Sequence, residues 1–192
     1  MPSLALAHAD RFDMLRIFDR GDRPPEWAHE LFNAAPARAD IEIGYRRGAN
    51  RNVWATQLDE AVRSAERPVL LVAHGVSCLA LAWWAKLSPA PYVERVAAAL
   101  LVRPSDGLTP RSAREFARPK TLFPFPSVVI DRGDDRVAAE QAMDFAASCG
   151  SGFVGAEGQA VSREGIFRRV TAMIVEHEVR IALRQGHLAE SR

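Results

Sequence analysis

The run Ala73-His74-Gly75-Val76-Ser77-Cys78 gathers the side chains of this chain that come nearest to acyl-transfer chemistry. That chemistry needs a nucleophile, a base that hydrogen-bonds it, an acid that orients the base, and N–H donors for the oxyanion. A serine nucleophile is best presented in a G-x-S-x-G frame, on a strained strand-to-helix turn whose small neighbours let the backbone fold sharply. Here the central position of the frame is Gly75, which has no side chain and can attack nothing. Gly75-Val76-Ser77 supplies half of the same motif, so Ser77 is a displaced nucleophile only if the strand runs two residues further. The plainer reading makes Ser77 a first-turn helix residue that hydrogen-bonds its own backbone.

The neighbouring candidates carry plain readings as well. Cys78 near a helix N-terminus would have a lowered thiol pKa, whereas as a small buried core residue it is inert. His74 reads as a structural hydrogen-bonding residue under a sheet rather than as a base. Asp134 and Asp135 follow Gly133 and fit a turn, or the cap of a helix starting near Val137. The Trp83-Trp84 pair reads as packing rather than a ligand platform. Arg46, Arg47, Arg51, Arg163, Arg168 and Arg169 read as a solvated face. No His/Cys cluster has ligand spacing, so neither a metal nor any other cofactor is expected.

The elements that must position these residues follow from periodicity. Short apolar runs at 14–18, 40–43, 68–73, 96–102, 126–131 and 152–155 predict strands. Helical spacing over 25–34, 53–65, 77–87, 137–148 and 163–184 alternates with them. That order predicts an α/β fold, a mostly parallel sheet of about six strands with helices on both faces, forming one domain over residues 1–192. The Pro- and Arg-rich segment 103–126 reads as a long loop.

Composition bounds the function. A chain of 192 residues, 48% hydrophobic, is long enough for one core. With 25 basic and 24 acidic side chains its net charge of +1 gives no general attraction to nucleic acid or anionic membrane. No apolar run approaches the roughly 20 residues of a membrane span, and the first ten residues have no basic stretch before an apolar one. With only Cys78 and Cys149, the sequence predicts a cytoplasmic protein.

The sequence resembles the YdeN-like serine hydrolases, a small α/β-hydrolase family that includes a retinoblastoma-binding protein. Val69 to Val72, His74, Cys78 and the apolar run Leu79 to Trp84 follow the family's V-L-V-G-H-S-L-G-C elbow without a gap. Trp54 with Leu58 resembles its W-x-x-x-L helix, Val96 to Pro104 its next strand, and Leu122 to Val129 its L-P-F-P-S-x-V-V run. Gly21 to Trp27 resembles its G-x-x-G-P-x-H-W loop, and Glu164-Gly165 its final E-G. The resemblance implies a small α/β-hydrolase-like fold and a Ser-His-Asp site, from which this chain departs at three places. Gly75 falls on the nucleophile. Gln159, in Gly155-Ala156-Glu157-Gly158-Gln159, falls on the base, and an amide cannot accept a proton at neutral pH. Ile17 and Phe18 fall on the oxyanion-loop P-G pair, where a bulky Phe18 is expected to obstruct the close backbone approach that glycine permits. Only the acid is retained, as Asp134 or Asp135.

The expectation is therefore a noncatalytic protein with a degenerate site. It would bind a small ligand or a protein partner in a cleft near Phe18, His74 and Val76. The alternative is an active esterase or amidase using Ser77. The sequence does not name the ligand, the partner or the oligomeric state.

Overall fold

In the computed structural model, residues 12–22, 24, 26, 28–29, 37–45, 51–116, 122–133, 135–155, 165, 168, 172 and 175 are described. They contain six strands: β1 (Asp13–Phe18), β2 (Ala37–Glu42), β3 (Val69–His74), β4 (Val96–Val102), β5 (Ser127–Ile130) and β6 (Gly152–Val154). All neighbouring pairs are parallel, in the order β2-β1-β3-β4-β5-β6. The principal helices are α1 (Arg51–Arg63), α2 (Val76–Leu87), α3 (Ala90–Val93), α4 (Pro110–Glu115) and α5 (Arg136–Cys149). Glu26, Ala28 and His29 are also helical, as are Gly165, Arg168, Ala172 and Val175, within the two remaining expected helices.

The core has two layers because strand side chains alternate. Leu15, Ile17, Leu71, Ala73, Leu101 and Val129 face Trp54, Leu58 and Val62 of α1, Leu79 and Leu81 of α2, and Phe145 of α5. Met14, Leu70, Val72, Leu100, Val102 and Ile130 face the other way, with Ala28. A central parallel strand buried on both faces reads as a continuous apolar run, and β3 is buried at every position. Helix α2 is buried on almost all sides, which explains its near-total lack of charge.

Two expectations need correction. Strand β2 begins at Ala37, three residues before the expected start. It is an edge strand whose Arg38 and Asp40 are exposed, and Asp40 is held from β1 by Arg16 through contacts of 2.6 and 2.7 Å. Ion pairs on a solvated edge replace the apolar signal there. The expected loop 103–126 contains a 3₁₀ turn at Pro104–Gly107 as well as α4. Thr109 caps α4 by accepting from Ser112 N at 3.1 Å, Ser112 Oγ accepts from Thr109 N at 2.8 Å, and Pro110 starts the helix. This is a reciprocal cap in which serine replaces the usual Glu or Gln.

Phe145 of α5, packed in the core against the sheet, is the largest fully buried side chain among the described residues. Phe145→Ala is expected to lower stability by about 3–5 kcal/mol. Val137→Ala, at an exposed position of the same helix, should change it by no more than about 0.5 kcal/mol. Urea titration compares the two.

Candidate functional site

Strand order reverses between β1, which leads outward to β2, and β3, which leads to β4 on the other side. Crevices for ligands in open α/β sheets form beyond the carboxyl ends of the strands at such a point. Gly75 stands there, between the end of β3 and the start of α2, with φ 58° and ψ −127°. Its amide donates to Val102 O at 3.0 Å, anchoring the turn to β4. Only glycine adopts this conformation without strain.

Two neighbouring segments close on the turn. After β1 the backbone bends through Gly21 at φ 96°, with Asp22 N donating to Asp19 O at 2.9 Å. A β-carbon on Gly75 would stand 3.1 Å from Asp22 Oδ2 and 3.8 Å from Asp106 Cβ. The 3₁₀ turn after β4 presses even closer. A β-carbon on Gly107 would overlap the amide nitrogen and Cα of Val76 and lie 2.6 Å from Gly75 C. In a hydrolase elbow the amide following the nucleophile donates to the oxyanion, and at Val76 that amide has the Gly107 backbone packed against it.

Carboxylates line the surroundings. Asp106 lies 3.0 Å from Arg103 Nη2 through Oδ1, and its Oδ2 is 3.4 Å from His74 Nε2. The latter contact is not a hydrogen bond, and neither ring nitrogen of buried His74 has a hydrogen-bond partner. Arg103 has φ 44°, the only positive value for a non-glycine residue among those described. Asp131, buried at the end of β5, accepts from Ser105 Oγ at 2.8 Å and from Gly133 N at 3.0 Å. Asp22, Tyr45, Val76, Asp106, Thr109 and Arg111 surround a cleft of about 250 Å³ over the Gly107 turn. Arg111 lies 4.8 Å over the Tyr45 ring. Carboxylates facing one guanidinium across a small cleft suit a polar ligand with donors and an acceptor.

The sequence candidates divide under this geometry. Gly75 and Val76 are at the turn, and Val76 reaches the cleft. His74 sits behind Asp106 and does not line the cleft. Phe18 is the last residue of β1, paired with Glu42, and likewise does not line it. The side chain reaching over Gly75 is Asp22 instead. Ser77 is fully buried in the first turn of α2, and its Oγ has no hydrogen-bond partner, so the expected bond to its own backbone is not made. Among the described residues no histidine is hydrogen-bonded to it. Asp135 is the N-cap of α5, accepting from Val137 N at 2.9 Å and from Ala138 N at 3.4 Å. Asp134 and Gln159 lie outside the described residues, as do Arg46, Arg47, Arg163 and Arg169.

Cys78 is buried against Val102 O at 3.6 Å. Burial pushes its thiol well above the usual value, despite the opposing effect of that carbonyl. Burial also raises Cys149. Among the described residues no group of His, Cys, Asp and Glu could hold a metal ion.

Over residues 20–162 the sequence matches the serine hydrolase family. The chain belongs to that family. Its fold is similar to that of a protein from Pectobacterium atrosepticum assigned as a YdeN-like hydrolase, with 18% identity, a TM-score of 0.64, and coverage of 89% of this chain and 95% of that one. The ydeN gene product of B. subtilis aligns over 88% of this chain and 97% of its own at 14% identity and a TM-score of 0.49. No curated protein matches the sequence. The turn from β3 into α2 has glycine at its tip.

Sequence reasoning missed Asp22, Asp106 and Asp131. Their shared signal is position, at or just beyond the carboxyl end of a parallel strand, but aspartate is equally common in turns.

Gly75→Ala is expected to cost about 1–3 kcal/mol through positive-φ strain. Gly107→Ala should cost more, since backbone atoms on both sides of the Gly75–Val76 peptide would have to move; urea denaturation ranks them. Iodoacetamide at pH 8 should modify neither cysteine in the folded protein and both in urea. Because the folded-state thiol pKa values are raised, this contribution to stability is full below about pH 8.5, the unfolded thiol value, and falls as pH rises above it.

Proposed function

We propose that this chain is a noncatalytic member of the serine hydrolase family that binds a small polar ligand or a protein partner in the cleft beside Gly75. The observation that carries this reading is the tip of the elbow. No side-chain nucleophile stands there, and the Asp22 carboxylate reaches to 3.1 Å from where a β-carbon would be. Gln159 at the base position, in place of histidine, supports the same reading. Asp134 is the remaining candidate for the family acid, since Asp135 is engaged as a helix cap. An acid without a base and nucleophile relays no proton.

The alternative, an esterase or amidase using Ser77, requires a strand extended by two residues and an exposed hydroxyl. Strand β3 ends at His74, and Ser77 is fully buried. Against catalysis by rearrangement stands the tight packing of Gly107 on the elbow, which holds the turn in place. We also place the protein in the cytoplasm, in keeping with two free buried cysteines. Among the described residues no helix is long and apolar enough to cross a membrane.

Hydrolysis of short p-nitrophenyl esters by the purified protein should not exceed background, and Ser77→Ala should leave the rate unchanged. Gly75→Ser should also be inactive, because a serine without a base is a poor nucleophile at neutral pH. Turnover by the wild type that disappears in Ser77→Ala would overturn this reading.

A further inference from the structure

Away from the elbow, a second pocket of about 330 Å³ opens between α1 and α2, and its walls include Trp54, Asp59, Trp83, Trp84, Leu87 and Phe116. Among the described residues it shares no lining residue with the cleft beside Gly75. Three of the four tryptophans in the chain converge here. Trp84 Nε1 donates to Asp59 Oδ1 at 2.7 Å, which fixes the carboxylate in the aromatic wall. Asp59 is partly buried, and among the described residues no cation pairs with it. Lys86 Nζ stands 5.0 Å from the centroid of the Trp83 ring, so this ring already attracts a cation from the chain itself.

The chemistry of the walls selects the ligand. Indole faces attract cations through the negative face of the ring, most strongly when the cation is desolvated. A partly buried carboxylate without a cationic partner disfavours anions and leaves a purely apolar ligand with an unpaired charge beside it. A primary ammonium is strongly hydrated and three-donor, while among the described lining side chains only Asp59 and the Ser88 hydroxyl accept hydrogen bonds. A methylated ammonium spreads its charge over apolar surface, and so fits aromatic walls and one carboxylate together. We propose that the pocket between α1 and α2 binds a trimethylammonium group, with the tryptophan walls enclosing its methyl groups and Asp59 supplying the counter-charge. This site is independent of the reading of the elbow and stands or falls separately from it.

Intrinsic tryptophan fluorescence of the full chain, titrated with choline chloride against matched sodium chloride, tests the proposal. A saturable change is expected. The neutral isostere 3,3-dimethyl-1-butanol should bind about tenfold more weakly or worse, since it lacks the charge that the rings and Asp59 recognise. Asp59→Asn keeps an oxygen to accept from Trp84 Nε1, so it should retain the urea midpoint while losing a similar factor in choline affinity. Trp83→Leu should weaken binding as well. Co-sedimentation with phosphatidylcholine vesicles alongside choline binding would identify a lipid headgroup as the source; choline binding without co-sedimentation would identify a free ligand. No saturable response to choline, equal binding of the neutral isostere, or unchanged affinity in folded Asp59→Asn would overturn the proposal.

Discussion

One backbone turn constrains the centre of this molecule. Strand β3 is buried along its whole length and must pass directly into a helix that is itself buried on nearly every side. A single residue makes the reversal, Gly75 at φ 58°. Around it the loop after β1 contributes Asp22 and the turn after β4 contributes Gly107, so three strand ends meet at one point. Neither β3 nor α2 has a free face to absorb a different angle. The packing of both layers of the core therefore depends on that geometry being kept.

In a working serine hydrolase the same turn presents a hydroxyl, and the strain is part of presenting it. Here glycine stands at the turn between β3 and α2. The structural demand and the chemical one are separable because they rest on different atoms: the reversal needs only backbone torsions, whereas acyl transfer needs a side chain, a base and an open oxyanion position. Helix α2 still points its N-terminus, the positive end of its dipole, into the site. Asp22 and Asp106 place carboxylates beside the elbow, and the His74 and Arg103 contacts sit on the Asp106 side. Carboxylates therefore stand beside the N-terminus of α2.

The sequence was most legible where burial is greatest. Strands β3 and β4 and helix α2 follow from uninterrupted apolar runs, and the glycine between β3 and α2 marks the turn. Strand β2 was read only from its last residues, because its first four alternate alanine with exposed Arg38 and Asp40. The turn and helix within 104–115 were hidden by prolines, which mark loops and helix starts alike. The turn at Gly75 was legible and its surroundings were not. Asp22 and Asp106 reach the elbow through loops whose course depends on Gly21, on the left-handed Arg103 and on the contact of Gly107 with Val76. Nothing local in the residues themselves encodes those approaches. Phe18 ends β1, as its apolar run predicted, and the loop begins one residue later.

The proposed function requires that the Gly75 turn carry no activated nucleophile. Intact-mass spectrometry after incubation of the folded protein with a fluorophosphonate tests it most directly, because the reagent reports an activated serine whatever the natural substrate. An unchanged mass is expected over a time in which a serine hydrolase would be fully modified. A single stoichiometric adduct, mapped by peptide analysis to Ser77, would contradict it.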